Sequence, residues 1–222
     1  MEFRPKYISF DCYGTLIDFQ IGNLTKRLFV TQIDTARMAA FLTDFSAYRF
    51  DEALGDWKPY ADVLKLALRR CCKRWGLPNH DSEAQQLYDT IPTWGPHPDV
   101  PTGLTALARE FPLVILSNAS ESQIYANVAK LGAPFHAVYT AEQAHAYKPR
   151  LQAFEYMINQ LGCDPADLLH VSSSLRYDLM SAHDVGIRHT VYIERGHGPS
   201  TNYYGYPIIK DLGSLLALVG LR

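Results

Sequence analysis

The chain has 222 residues, 47% of them hydrophobic and 20% charged, with a formal net charge of −2. That composition suits one domain, or one domain plus an insert, and excludes a disordered or fibrous chain. A near-neutral, slightly acidic chain gives no electrostatic footprint for nucleic acid or an anionic membrane, and no run approaches the ~20 apolar residues of a bilayer span. Met1 to Lys6 lacks the apolar core of a signal peptide. The four cysteines, Cys12, Cys71, Cys72 and Cys163, show no CxxC spacing, and the adjacent pair is poorly placed to bridge. A reduced, cytoplasmic protein without a structural zinc site is expected.

In chain order, Tyr7-Ile8-Ser9-Phe10 is short and β-prone and ends on Asp11. Cys12-Tyr13-Gly14-Thr15 reads as a turn. Residues 21–92 are mostly helical in pattern, with aromatics at Phe29, Phe41, Phe45, Tyr48, Phe50, Trp57 and Tyr60. This stretch reads as a helical cap inserted after the first strand, and its aromatics as cap core. Leu104, Leu107, Ala108 and Phe111 then form an apolar stripe. Leu113–Leu116 is a strand ending on Ser117-Asn118. Ser120 to Gln123 is a capping-box pattern that opens a helix stopping near Gly132. Ala137–Tyr139 is a strand ending on Thr140. Lys148 opens the next helix, with Pro149 in its first turn, Leu151, Phe154, Ile158 and Leu161 on one face, and Gly162 at its end. Leu168–Val171 runs into Ser172-Ser173-Ser174, Tyr177–Val185 is helical, and Thr190–Ile193 ends on Glu194. The stretch 196–207, rich in glycine and tyrosine, reads as a surface loop, and Asp211–Val219 as a closing helix.

Strands alternating with helices give a doubly wound α/β core with a parallel sheet of five or more strands. The core is expected over 1–20 and 93–222, with the cap over 21–92. In such sheets ligands bind outside the carboxyl ends of the strands. Those ends carry Asp11, Ser117, Asn118, Thr140 and Ser172–Ser174, with Lys148 nearby and Asp178 a turn beyond the fourth strand. A carboxylate closing a buried strand must be held by hydrogen bonds or a cation. Alone, Asp11 reads as a cap of its own loop. With Lys148 and Ser117 on the same rim, a functional carboxylate is the better reading. A lysine at a helix N-terminus opposes the helix dipole, so an anion is expected opposite it. The histidines at 97, 145, 170, 183, 189 and 197 show no trusted ligand spacing and read as structural or exposed.

Phe10-Asp11-Cys12-Tyr13-Gly14-Thr15-Leu16, Leu116-Ser117-Asn118, Lys148-Pro149 and the Ser172–Asp178 stretch, in this order, resemble the haloacid dehalogenase-like hydrolases. The branch with Asp-x-Tyr-Gly-Thr in its first motif is the L-2-haloacid dehalogenases. Phosphatases of the superfamily carry a second aspartate two residues after the first, where this chain has Tyr13. The resemblance therefore implies metal-independent displacement of a leaving group, most simply halide, at the α-carbon of a small carboxylic acid. No cofactor and no metal ligand are expected. Asp11 is the implied nucleophile, held and balanced by Thr15 and Lys148. Ser117 would bind the substrate carboxylate, Asn118 would donate to the halide, and Tyr13 would wall the pocket. Asp178, with Ser172 or Ser174, would orient or deprotonate the hydrolytic water. Arg49, with Arg37 second, is the candidate for the cap arginine that helps abstract the halide.

Three departures accompany the resemblance. Phe154 stands where related dehalogenases carry a tyrosine, and it lies on an apolar stripe. The Ser172–Asp178 stretch is one residue longer than the family's, and Ser174 replaces an asparagine. The longer stretch also resembles a side branch that opens the ring of azetidine-2-carboxylate. Ring opening, a magnesium-dependent phosphatase and a catalytically weak binding protein are the alternatives. Dimers are common among similar proteins, which leaves a homodimer open.

Overall fold

The computed structural model describes residues 3–198 and 204–221; Met1, Glu2 and the middle of the glycine- and tyrosine-rich stretch lie outside them. β1 (Tyr7–Phe10) is followed by α1 (Ile21–Leu28), α2 (Thr35–Leu54), α3 (Tyr60–Trp75) and α4 (Asp81–Thr90). Then come α5 (Val100–Leu107), β2 (Leu113–Ser117), α6 (Glu121–Val128), β3 (Ala137–Thr140), α7 (Ala141–Ala144) and α8 (Leu151–Leu161). β4 (Leu168–Ser172), α9 (Met180–Asp184), β5 (His189–Ile193), β6 (Ile208–Ile209) and α10 (Leu212–Leu218) complete the order. Two compact units result. One runs through Asp18 and resumes at Gly95; the other is Phe19–Trp94. Among the described residues no helix is long and apolar enough to cross a membrane.

In the first unit the described strands form one all-parallel sheet in the order β3-β2-β1-β4-β5-β6. β2 and β4 are buried along their whole length, which is why their sequences are nearly continuous apolar runs rather than alternating ones. Val114, Leu116 and Leu168 pack with Phe154 and Met157 of α8 and with Ala182 and Ile187. Each such side chain contributes roughly 1.5–3 kcal/mol by leaving water. α10 lies so close to α5 that a side chain at Gly103 would collide with Leu212. The chain order reverses between β1 and β4, the strand neighbours where such sheets open a ligand crevice. Phe10 pairs with Ile115 on one side and Val171 on the other. The three strand ends are therefore level, and Asp11, Ser117 and Ser172 share one rim.

Two local expectations are corrected, and one further strand is present. Lys148 does not open a helix: Thr140 and Gln143 form a capping box that nucleates α7, and α8 begins only at Leu151, after Arg150 as N-cap. Ser120 does occupy the N-cap of α6, but its hydroxyl makes no cap hydrogen bond and turns to Ser122 and Gln123 instead. β6 was hidden in the sequence because it pairs through only two residues.

The second unit is a helical layer. Phe29, Phe41, Phe45, Leu64, Leu68 and Leu87 are buried. The Phe41 ring lies 4.9 Å from that of Phe29 and 5.4 Å from that of Trp75. Asp34 caps α2 through the Ala36 N–H, and Gly76 ends α3 in the left-handed conformation.

Candidate active site

The site grows from the turn after β1. The N–H groups of Leu16 and Ile17 both return to the carbonyl of Cys12, and the Gly14 N–H donates to the carbonyl of Ile17. Gly14 takes φ +95°, a conformation other residues adopt only under strain, and a side chain there would press on His197 and the Ser173 hydroxyl. The tight reversal brings Thr15 back beneath Asp11. Thr15 Oγ1 donates to Asp11 Oδ2 at 2.7 Å and accepts the Ser173 N–H at 2.9 Å. Tyr13 is anchored through its hydroxyl to Oδ1 of the buried Asn127 on α6, at 2.9 Å.

Lys148 supplies the positive charge. All three ammonium hydrogens are engaged: with Asp11 Oδ1 at 2.8 Å, Asp178 Oδ1 at 2.7 Å and the Leu116 carbonyl at 2.8 Å. Asn118 fixes the backbone of Lys148 at two points, accepting its N–H at 2.8 Å and donating to its carbonyl at 2.9 Å. One N–H of Asn118 is therefore already bound to the loop, and one remains for a ligand. Ser117 is buried, and its hydroxyl has no hydrogen-bond partner among the described residues.

In the loop after β4 the Ser172 hydroxyl accepts the Ser174 N–H, and the Ser174 hydroxyl accepts the Tyr177 N–H, each at 3.0 Å. One of these two serines is expected to act with Asp178; Ser173 is the serine that meets Thr15. Leu175–Leu179 winds as a π-helical turn, with the Leu179 N–H reaching back five residues to Ser174. A π turn takes up one more residue than an α turn. Across this turn Asp178 meets Lys148 at 2.7 Å.

His170 was missed. It is fully buried in β4, with Nε2 3.1 Å from Asp178 Oδ1 and Nδ1 2.9 Å from the Ser9 hydroxyl. The available signal was its position: a histidine in the middle of a strand covered on both faces must find polar partners. Arg195 was also missed. It forms a two-point ion pair with Asp99 at 2.8 and 2.9 Å, and its Nε donates to the Thr15 carbonyl at 3.2 Å. His97 braces the same turn from its other side, with Nε2 3.3 Å from the Gly14 carbonyl. Phe154 lies in the core, as its stripe suggested. Arg49 belongs to the helical unit, where its guanidinium lies over the Phe19 and Phe45 rings at 5.5 and 5.2 Å; Arg37 lies over Trp75 at 4.6 Å.

The electrostatics divide the two carboxylates. Asp11 is pushed above the ordinary carboxylate range by burial. Lys148 pulls it back, but the charge of Asp178 adds to the rise. Burial also opposes ionisation of Asp178, yet Lys148 and the His170 hydrogen bond outweigh it and leave Asp178 below the ordinary range. Burial likewise opposes the charge on Lys148, and the two aspartates overcome it, so the amine is held above its ordinary value. Lys148 and Asp178 have 1% side-chain exposure, against 10% for Asp11. Asp11 is thus the most open of the three, with Lys148 as the cation between the carboxylates. Among the described residues no group of three or more His, Cys, Asp or Glu side chains is arranged to hold a metal ion.

The family model of the haloacid dehalogenase-like hydrolases matches residues 5–186. An (S)-2-haloacid dehalogenase from Xanthobacter autotrophicus is 28% identical over 192 residues, which cover 82% of this chain and 72% of that protein. An N-acylneuraminate-9-phosphatase from Rattus norvegicus is 24% identical over 188 residues, 82% of this chain and 71% of that one. The solved L-2-haloacid dehalogenase of Xanthobacter autotrophicus superposes with a TM-score of 0.80 at 22% identity, covering 99% of this chain and all of that one.

Proposed function

Because the chain belongs to the haloacid dehalogenase-like hydrolase family, we propose that it hydrolyses a carbon–halogen bond next to a carboxylate, through an ester formed on Asp11. The observation that carries this reading is the single buried ammonium of Lys148 held between Asp11 and Asp178, with Thr15 on the other oxygen of Asp11. The relative named above as an (S)-2-haloacid dehalogenase supports it.

In the first step an oxygen of Asp11 attacks the α-carbon. The new carbon–oxygen bond forms as the carbon–halogen bond breaks, and the halide leaves with the bonding pair. Ser117, with its unpartnered buried hydroxyl, and the remaining N–H of Asn118 are the donors proposed for the substrate carboxylate and the departing halide. In the second step water attacks Cγ of Asp11, and Asp178 takes its proton. Its Oδ2 is the oxygen available, being buried and without a hydrogen-bond partner among the described residues. The tetrahedral adduct then breaks at the Cγ–alkoxide bond, the alkoxide takes the proton held by Asp178, and the proton left on the new Asp11 carboxyl group passes to solvent. The product hydroxy acid keeps an oxygen that began on Asp11, and Asp11 keeps the oxygen of water.

The test is halide release from chloro-, bromo- and fluoro-substituted 2-haloacids, run beside azetidine-2-carboxylate and a panel of phosphate monoesters with and without magnesium. Halide release lost in Asp11→Asn is the expected result. Ring opening alone, or phosphate release alone, would replace this reading with one of its rivals.

A further inference from the structure

We propose that His170, held by Ser9, is a positioning residue that fixes one oxygen of Asp178 so that the other is left to take the proton of the hydrolytic water. The proposal rests on the reading of Asp178 given above. Its basis is the unequal use of the two carboxylate oxygens. Oδ1 accepts from both Lys148 Nζ, at 2.7 Å, and His170 Nε2, at 3.1 Å. Oδ2, equally buried, has no hydrogen-bond partner among the described residues. A carboxylate held by one donor can exchange its oxygens by rotating about Cβ–Cγ. Two donors converging on the same oxygen from different strands and loops resist that rotation.

His170 is itself held. It pairs with Ser9 across the parallel strands β4 and β1, and its Nδ1 lies 2.9 Å from the Ser9 hydroxyl. The Phe154 ring meets it edge-on, with 5.4 Å between centroids and 76° between planes. Donation from Nε2 to the carboxylate leaves Nδ1 as an acceptor in the neutral ring, so Ser9 donates to it. The competing acceptor for the serine proton, the Leu169 carbonyl, is at 3.5 Å. Strand packing alone gives no reason for this polar pair, since both residues stand in strands that are otherwise almost wholly apolar.

Rapid-quench kinetics with a 2-haloacid separate the steps, because halide release follows ester formation while the mass of the Asp11 adduct follows its decay. In His170→Leu the halide burst should stay within about threefold of the parent while ester decay slows at least about tenfold, a fraction of the ~10²–10⁴ a general base contributes. His170→Gln, which restores a donor, should recover most of the loss, and Ser9→Ala should move ester decay in the same direction by less. Equal slowing of both steps in His170→Leu, or unchanged ester decay, would overturn the proposal. An assay free of substitutions is nitrogen NMR of His170 in the unaltered protein: the proton should reside on Nε2, and a bare Nε2 would overturn the proposal. A parent protein that releases no halide at all would refute the dehalogenase reading, and the NMR result would still judge the His170 contact separately.

Discussion

Lys148 and Asp178 stand 2.7 Å apart with 1% side-chain exposure each, and the same ammonium reaches Asp11 at 2.8 Å. Removing one member of a buried ion pair strands the other. Lys148→Met should therefore cost about 3–5 kcal/mol of unfolding free energy, measured by urea denaturation at neutral pH. A loss below about 1 kcal/mol would mean that the ammonium is not what neutralises the two carboxylates.

Asp11→Asn should behave in the opposite way. The folded-state pKa of Asp11 is raised, chiefly by burial and then by the charge of Asp178. Such a group contributes stability that is fully present below its unfolded value of 3.8 and is lost as the pH rises through its folded value. Asp178 is the reverse: lowered by Lys148 and His170 against the effect of burial, it contributes stability present above 3.8 and lost as the pH falls through its folded value. At pH 7 Asp11→Asn should therefore be no less stable than the parent, with a gain of up to about 2 kcal/mol, while turnover disappears. A clear drop in its thermal midpoint would show that Asp11 serves the fold rather than the reaction.

The acid limb of activity follows from the same asymmetry. On the proposed mechanism ionised Asp11 attacks, so its raised pKa should set that limb above the ordinary carboxylate range. Asp178→Asn removes the like charge and should move the limb of ester formation to lower pH, even as ester decay fails. Pre-steady-state halide bursts recorded across pH would display the shift; an unmoved limb would mean that the two carboxylates do not sense one another.

Thr15 both donates to Asp11 and accepts from the Ser173 N–H. Thr15→Val leaves a buried carboxylate oxygen and a buried N–H without partners, at a cost of about 1–3 kcal/mol each. Thr15→Ser keeps both bonds. Denaturation curves and turnover rates of the two variants should diverge strongly, and equal behaviour would remove the hydroxyl from the account.

Arg195 supports the same turn from below, through the Thr15 carbonyl and Asp99. In Arg195→Lys the two-point geometry is lost while the charge remains. The expected result is a fall in kcat with a smaller change in KM, read from steady-state kinetics, because the displaced element is the turn that carries the proposed nucleophile. A pure KM effect would instead assign Arg195 to substrate attraction.

The parallel sheet was legible because β2 and β4 are continuous apolar runs that end on polar residues. Asp11, Lys148 and Asp178 were legible as groups sharing a rim. The roles of single hydroxyls were not. Ser172, Ser173 and Ser174 are chemically identical in sequence, and only the π turn at Leu175–Leu179 decides which of them faces Thr15. Lys148 reads as the start of a helix because Pro149 suits a first turn, whereas the capping box of Thr140 and Gln143 starts α7 earlier and α8 begins only at Leu151. The contacts of His170 are not legible in sequence because its partners, Ser9 and Asp178, are contributed by another strand and a later turn.

The most direct test is turnover of a 2-haloacid in water enriched in heavy oxygen, followed by mass analysis of the peptide that contains Asp11. The account predicts that label accumulates in the Asp11 carboxyl group, and that the hydroxy acid from a single turnover carries ordinary oxygen. Label appearing in the product of that first turnover, with Asp11 unlabelled, would contradict it.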